Sequence, residues 1–210
     1  MGATKGQSDT LILQSFRDAA TPVAFGGEGA GGVMGELPKV TPEYYQILVV
    51  RELRKAGFEV GELRLHRRSE LPEPQRGFVL ELTAPLTRAS WHKRGLIACR
   101  RQEEAVQRDV VDAVKSRLGD ARAEVGILFA TGGFQDEAVA AAQQAGVALL
   151  RVIDGRKAYD TGGYGPPGHY PAWLPAYTVE VVDRDAGGQI RARLLEAGGA
   201  ALIQAAFATQ

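Results

Sequence analysis

A strand–helix–strand segment in the second half of the chain limits the possible folds more than any other feature. Residues 124–131 and 147–153 are nearly uninterrupted apolar runs, and an alanine-rich stretch at 135–145 lies between them. Continuous apolar runs are typical of strands that are covered on both faces of a sheet. The order and the lengths therefore predict a βαβ unit with parallel strands, and so an α/β fold.

The chain before this unit predicts a helix, three strands and a second helix. Thr41-Pro42 is a typical helix start and Gly57 a typical stop, so the first helix is expected between them. Alternating and apolar patterns predict the remaining elements, which are strands at 58–65, 77–84 and 95–101 and a helix at 103–118.

The two ends of the chain have a different character. Residues 1–40 are rich in glycine and predict a flexible arm. Residues 161–210 begin with a proline- and glycine-rich loop that carries aromatic side chains from Tyr164 to Trp173, which suggests an ordered loop packed on its own domain or on a partner. A strand at 177–183 follows, then either its hairpin partner or a helix at 189–195, and a short terminal helix.

Composition narrows the class of protein. Lys and Arg together number 25, and so do Asp and Glu, which argues against a broadly basic protein that coats nucleic acid but allows a local basic face. The single cysteine, Cys99, excludes an internal disulfide. With no long apolar run and no signal segment, the sequence predicts a cytoplasmic protein without a membrane span.

The charged residues with the greatest chemical interest lie on the second and third predicted strands. Residues 94–101 read Arg-Gly-Leu-Ile-Ala-Cys-Arg-Arg, a buried strand that ends in two cations and is followed by a helix. Glu81 interrupts the apolar run of the preceding strand. A carboxylate there is costly unless it is paired or binds a cation, but it could also point outward, because strand faces alternate.

Cations are concentrated around the same strands. They could contact phosphates of a nucleic acid, or they could form a solvated charged face, because several acidic residues lie among them. The candidate nucleic-acid-binding residues are Arg67, Arg68, Lys93, Arg94, Arg100 and Arg101.

This order of elements, with charge at the end of the third strand, resembles the restriction-endonuclease-like fold. Residues 96–101 with the helix that follows, and residues 129–155, resemble its Mrr-type branch, in which a strand ends in small residues, a Phe starts an alanine-bearing helix and the next strand closes in Asp-Gly. The resemblance implies a three-layer core with a mixed central sheet flanked by helices at 41–160, between the arm at 1–40 and a hairpin and helix extension at 161–210.

The resemblance also implies a site. The resemblance implies nucleases that cut phosphodiesters with Mg²⁺, using an Asp on one strand, a Glu, Gln or Asp two residues before a Lys on the next, and often a Glu or Gln on the first helix. Glu81 falls at the Asp position, Ala98 at the Glu or Gln position and Arg100 at the Lys position, and Gln46 falls near the helix position. Glu81 is then the one remaining ligand if a metal binds.

These substitutions lead to a hypothesis of a degenerate nuclease with little or no activity and no cofactor, which binds DNA or a partner protein. One alternative is an active Mg²⁺-dependent DNA endonuclease in which Glu103 or Glu104 fills the place left by Ala98. Another is an assembly protein that associates with itself or with another protein through the arm at 1–40 and the aromatic loop from Tyr164 to Trp173.

Overall fold

One mixed sheet of eight strands runs through the described part of the chain. The computed structural model describes residues 40–70 and 78–208, so nearly all of the predicted arm at 1–40 lies outside it. The elements are α1 (Pro42–Ala56), β1 (Glu59–Val60), β2 (Arg64–Glu70), β3 (Phe78–Arg88), β4 (Trp91–Arg100), α2 (Arg108–Asp120), β5 (Val125–Ala130), α3 (Asp136–Ala145), β6 (Val147–Asp154), α4 (Gly155–Gly162), β7 (Tyr177–Arg184), β8 (Ile190–Leu194) and α5 (Ala200–Phe207).

The strand order confirms the predicted α/β fold. The sheet runs β1-β3-β4-β5-β6-β7-β8, and β2 also pairs with β3. The strands β4, β5 and β6 are parallel to one another, as expected for the βαβ unit, while the pairs β3–β4, β6–β7 and β7–β8 are antiparallel. The hairpin of β7 and β8 confirms the strand alternative for residues 189–195 and excludes the helix.

Helices cover both faces of the sheet and give it three layers. Alternate residues of each strand join one of two hydrophobic clusters, as the pleat requires. On the first face, α1 and α5 pack through Leu48 and Ile203 over strand residues such as Cys99. On the second face, which we call the α2 face, α2 and α3 pack through Val114 and Val139.

The first helix begins and ends where its sequence predicts. Thr41 has extended backbone angles, and its hydroxyl accepts a hydrogen bond from the Tyr44 backbone N–H at 3.2 Å. Pro42 is the first helical residue, where it lacks only an N–H that no helical carbonyl would accept. Gly57 ends the helix with a φ of 102°, a left-handed conformation that favours glycine.

The strand β3 is longer than its pattern predicts, because it continues through Pro85. Pro85 has no backbone N–H to donate to a neighbouring strand. Two strands, β1 and β2, pair with the same edge of β3, and Pro85 lies between the stretches of β3 that each of them covers. The strand β1 pairs as far as Leu86, and β2 begins to pair at Thr83. Proline is therefore tolerated here, and the turn to β4 comes at Ala89, with a φ of 50°.

A further local prediction is wrong. The helix α2 begins at Arg108 rather than 103, because Val106 forms a bridge with Phe134 and donates its N–H to the Gly133 carbonyl at 2.8 Å. The Asp-Gly pair that closes β6 starts a helix that the sequence patterns did not predict. The Asp154 carboxylate accepts backbone N–H bonds from residues 156 and 157 and so caps α4.

The buried position of Cys99 predicts an unreactive thiol. The side chain is fully buried, and this burial raises the pKa of the Cys99 thiol, which suppresses the reactive thiolate. We expect no reaction of the native protein with an aromatic disulfide reagent at mildly alkaline pH and full titration of one thiol in denaturant. A rapid reaction of the native protein would contradict the packing of β4.

Candidate nucleic-acid interface on the α2 face

Glu81 and Arg100 lie on one face of the sheet. In the antiparallel pair of β3 and β4, Glu81 is opposite Ala98 and Val79 is opposite Arg100. Partners in register share a face, so all four side chains belong to the α2 face. Glu81 and Arg100 are thus diagonal neighbours with Cα atoms roughly 7–8 Å apart. The structure brings together two of the three candidate catalytic residues.

The Glu81 carboxylate is buried and paired with an arginine. Glu81 is 6% exposed, and its Oε2 accepts a hydrogen bond from the Nε of Arg117 at 3.1 Å. The hydrogen bond to Glu81, followed by its charge, raises the pKa of Arg117. Of the two orientations open from the sequence, Glu81 therefore has the paired one.

The sequence pattern does not indicate Arg117 as a residue of this site. It lies in the last turn of α2, where a basic residue is common because it faces the helix C-terminus, so nothing in the pattern distinguishes it. A second bond, from its Nη1 to the Asp120 carboxylate at 3.0 Å, fixes the guanidinium. This arginine joins α2 to the middle of β3, a contact that only the tertiary structure shows.

Arg100 is partly buried at the C-terminal end of β4. Desolvation lowers the pKa of its guanidinium, and the nearby charge of Asp109 opposes that change. Its buried Nε has no hydrogen-bond partner within the described residues. The backbone at this point is held firmly, because the Arg100 carbonyl accepts the Tyr45 hydroxyl at 2.7 Å and the Thr131 N–H at 3.2 Å.

Gln46 is not brought into contact with this pair. It follows Tyr45 on α1, and the buried side chains of α1 pack against the opposite face of the sheet. Within residues 40–70 and 78–208, no hydrogen bond joins Gln46 to Glu81 or Arg100. The first turn of α1 nevertheless reaches the end of β4 through the Tyr45 hydroxyl.

The donor set does not fit a Mg²⁺ ion. Magnesium prefers several oxygen ligands in octahedral geometry. The carboxylate of Glu81 is bonded to Arg117, and Ala98 opposite has no ligand atom. In the part of the chain that the structure describes, no three His, Cys, Asp or Glu side chains are grouped as a metal site. Glu103 and Glu104 are exposed in the loop after β4.

The register separates the two candidate cations of β2. Arg67 is opposite Glu81 and so belongs to the α2 face, where it is exposed. Arg68 is opposite Leu80, on the other face, and its Nη1 lies 3.1 Å from the Glu43 carboxylate of α1. Arg67 can therefore add to the charge around Glu81, whereas Arg68 cannot.

The cations of β4 are also divided. Six residues of strand place Arg94 roughly 20 Å from Arg100. At that distant end, Lys93 pairs with Glu124 at 2.6 Å, and Arg94 donates to the Thr83 hydroxyl at 3.1 Å. Arg101 is partly buried next to Arg100. Lys93 thus lies apart from Arg100, whereas the Arg94 side chain reaches back along the α2 face to Thr83, two residues from Glu81.

Within residues 40–70 and 78–208, no helix has both the length and the hydropathy needed to span a membrane. Neither a curated protein nor a solved structure matches the chain. Residues 37–157, more than half of the sequence, match the family model described as restriction endonuclease, of the Mrr catalytic type. That segment contains β3, β4 and α2, whose side chains form the α2 face around Glu81. The chain therefore belongs to the Mrr-type restriction endonuclease family.

Proposed function

We propose that this protein binds DNA through its phosphate groups at the α2 face around Glu81 and Arg100, and that it cleaves DNA inefficiently or not at all. The observation that carries this proposal is the Glu81–Arg117 ion pair opposite Ala98, with Arg100 on the same face. A family catalytic site needs carboxylates that are open to a metal, and here the single buried one holds an arginine instead.

The residues present suit phosphate binding. A guanidinium is a planar fork of N–H donors that matches phosphate oxygens, and it stays protonated at any ordinary pH. It therefore cannot take over the role of a lysine that adjusts the ionisation of an attacking water. Arg100 is only partly buried at the end of β4 on this face, so its positive charge can attract a phosphate. Arg67 on the same face adds charge at the solvent side.

DNA binding is tested by anisotropy of a labelled duplex over a range of salt concentrations. Phosphate contacts release counterions, so the affinity should fall as salt rises. We expect Arg100→Gln to reduce the slope of that dependence by about one, since one phosphate contact is lost. The matched control is Lys157→Gln, which removes an exposed charge on α4 and should leave the slope unchanged.

Cleavage is tested on the same duplex with Mg²⁺ or Mn²⁺. The expected result is no metal-dependent cutting above that of a Glu81→Ala variant. Cutting that disappears in Glu81→Ala would overturn the proposal and establish an active endonuclease with a rearranged site.

A second candidate function is contact with a protein partner, including another copy of this chain. Trp173 is 75% exposed at a turn in which the Leu174 N–H bonds to the Pro171 carbonyl at 2.9 Å. Exposed tryptophans on fixed loops are frequent anchors of protein interfaces. A stable oligomer that dissociates in Trp173→Ser, without salt-sensitive DNA binding, would favour this function. With one free thiol, the cytoplasm is the compartment that we propose.

A further inference from the structure

We infer that Arg117 takes the place of the divalent metal in this site, so that its guanidinium is the fixed cation that receives a phosphate and no metal is required. The inference rests on the proposed binding of DNA phosphates at the α2 face. It deepens that proposal by naming the cation that replaces the metal.

The first support is the way in which Arg117 is held. Its Nε bonds to Glu81 at 3.1 Å and its Nη1 to Asp120 at 3.0 Å, and two bonds at different nitrogens fix the plane of the guanidinium. An arginine has five N–H donors. These carboxylates are its partners among the described residues, and the side chain is 32% exposed, so donors on Nη1 and Nη2 remain open to a ligand from solvent.

The second support is the path of the side chain. The helix α2 packs against β4 and β5, so Arg117 must cross β4 to reach Glu81 on β3. Ala98 is the β4 register partner of Glu81, so it lies beside that carboxylate on the same face. A glutamate or glutamine at position 98 would extend into the space beside Glu81 that the guanidinium approaches, whereas the methyl group of Ala98 leaves that space open. The loss of one metal ligand and the arrival of the guanidinium are therefore linked through one position.

The third support is electrostatic. A dication that approached Glu81 would meet the Arg117 guanidinium, whose Nε lies 3.1 Å from the Glu81 carboxylate. Like charges repel, and the repulsion is stronger in a partly buried site than in water. The Glu81 carboxylate already has a cation bonded to it, and this cation disfavours a second one at the same carboxylate.

The metal part of the inference is tested with Mn²⁺ alone, followed by electron paramagnetic resonance, in the absence of DNA. We expect no specific Mn²⁺ binding by the unaltered protein. The double variant Ala98→Glu/Arg117→Met places two free carboxylates opposite each other and should bind one Mn²⁺. Specific binding by the unaltered protein that is lost in Glu81→Gln would overturn the inference, as would a folded double variant that binds none.

The phosphate part is tested by anisotropy with the labelled duplex, in EDTA and in Mg²⁺. The unaltered protein should bind at least as tightly in EDTA as in Mg²⁺, because Mg²⁺ competes for the DNA phosphates. Arg117→Met should bind roughly tenfold more weakly, with a salt slope reduced by about one. Arg117→Lys keeps the charge but not the planar fork, so it should retain part of the affinity and serves if the methionine variant is unfolded. A large loss of affinity in EDTA, or no loss in either variant, would overturn the role of Arg117.

The two parts separate this inference from the proposed function. If the unaltered protein binds no DNA, the proposed function fails, while the Mn²⁺ titrations still decide whether Arg117 excludes a metal. If DNA binds but needs Mg²⁺, the proposed function stands and the inference fails.

Discussion

Replacing Gly155 by alanine is expected to lower the free energy of unfolding by about 3 kcal/mol. A Cβ at this position would lie 1.8 Å from the Pro175 carbonyl oxygen, far inside van der Waals contact. The Gly155 N–H also donates to the Ala176 carbonyl at 2.8 Å, so the loop cannot retreat without losing that hydrogen bond. Urea unfolding monitored by circular dichroism measures the loss.

The matched control is Gly119→Ala in α2. A Cβ there has no atom within 4 Å, and alanine is favoured over glycine in a helix, so this variant should gain about 0.5–1 kcal/mol. The fluorescence of Trp173, which lies on the displaced loop, should change in Gly155→Ala but not in Gly119→Ala. Equal stability of the two variants would contradict the close approach of the loop to α4.

Replacing Glu52 by alanine is expected to cost about 2–3 kcal/mol, because it removes the centre of a buried polar network between α1 and β7. The Glu52 side chain is 1% exposed and contacts Arg51 at 2.9 Å, with Lys55 as a second ion-pair partner. The Thr178 hydroxyl of β7 donates to its other oxygen at 3.2 Å. The side chains of Arg51 and Lys55 are about one-third exposed, so in the variant water solvates them and offsets part of the lost interaction energy.

Glu59→Ala is the control, because Glu59 is an exposed glutamate with the same side chain. It should change stability by less than about 0.5 kcal/mol. Glu52→Gln keeps the shape of the side chain and removes its charge. The difference in unfolding free energy between Glu52→Gln and Glu52→Ala therefore separates the contribution of packing from that of ion pairing. If Glu52→Ala unfolds at the same urea concentration as Glu59→Ala, the network does not stabilise the fold.

Much of the fold was predictable because its signals are local. The apolar runs of β5 and β6, the cap at Thr41 and the left-handed stop at Gly57 each depend on a few neighbouring residues. The predictions failed where a distant partner overrides local preference. Val106 is not part of the expected helix because it forms a bridge with Phe134. Pro85 is tolerated within β3 because neither β1 nor β2 pairs with β3 at that residue.

The candidate site was only partly predictable. Strand alternation and register place Glu81, Ala98 and Arg100 on one face, and the resemblance to the family pointed to these positions. The partner of Glu81 could not be found in this way, since Arg117 is 36 residues away on a helix where basic residues are common.

The sequence by itself determined the α/β class and most element positions. These follow from periodicity and residue identity, which are properties of short segments. Only the tertiary structure decided what Glu81 binds, how Glu52 is neutralised and why residue 155 is glycine. These three features depend on contacts between segments that are distant in the sequence. Hydrophobic burial brings such segments together, but it is non-directional, so the local residue pattern does not identify the partner of each side chain.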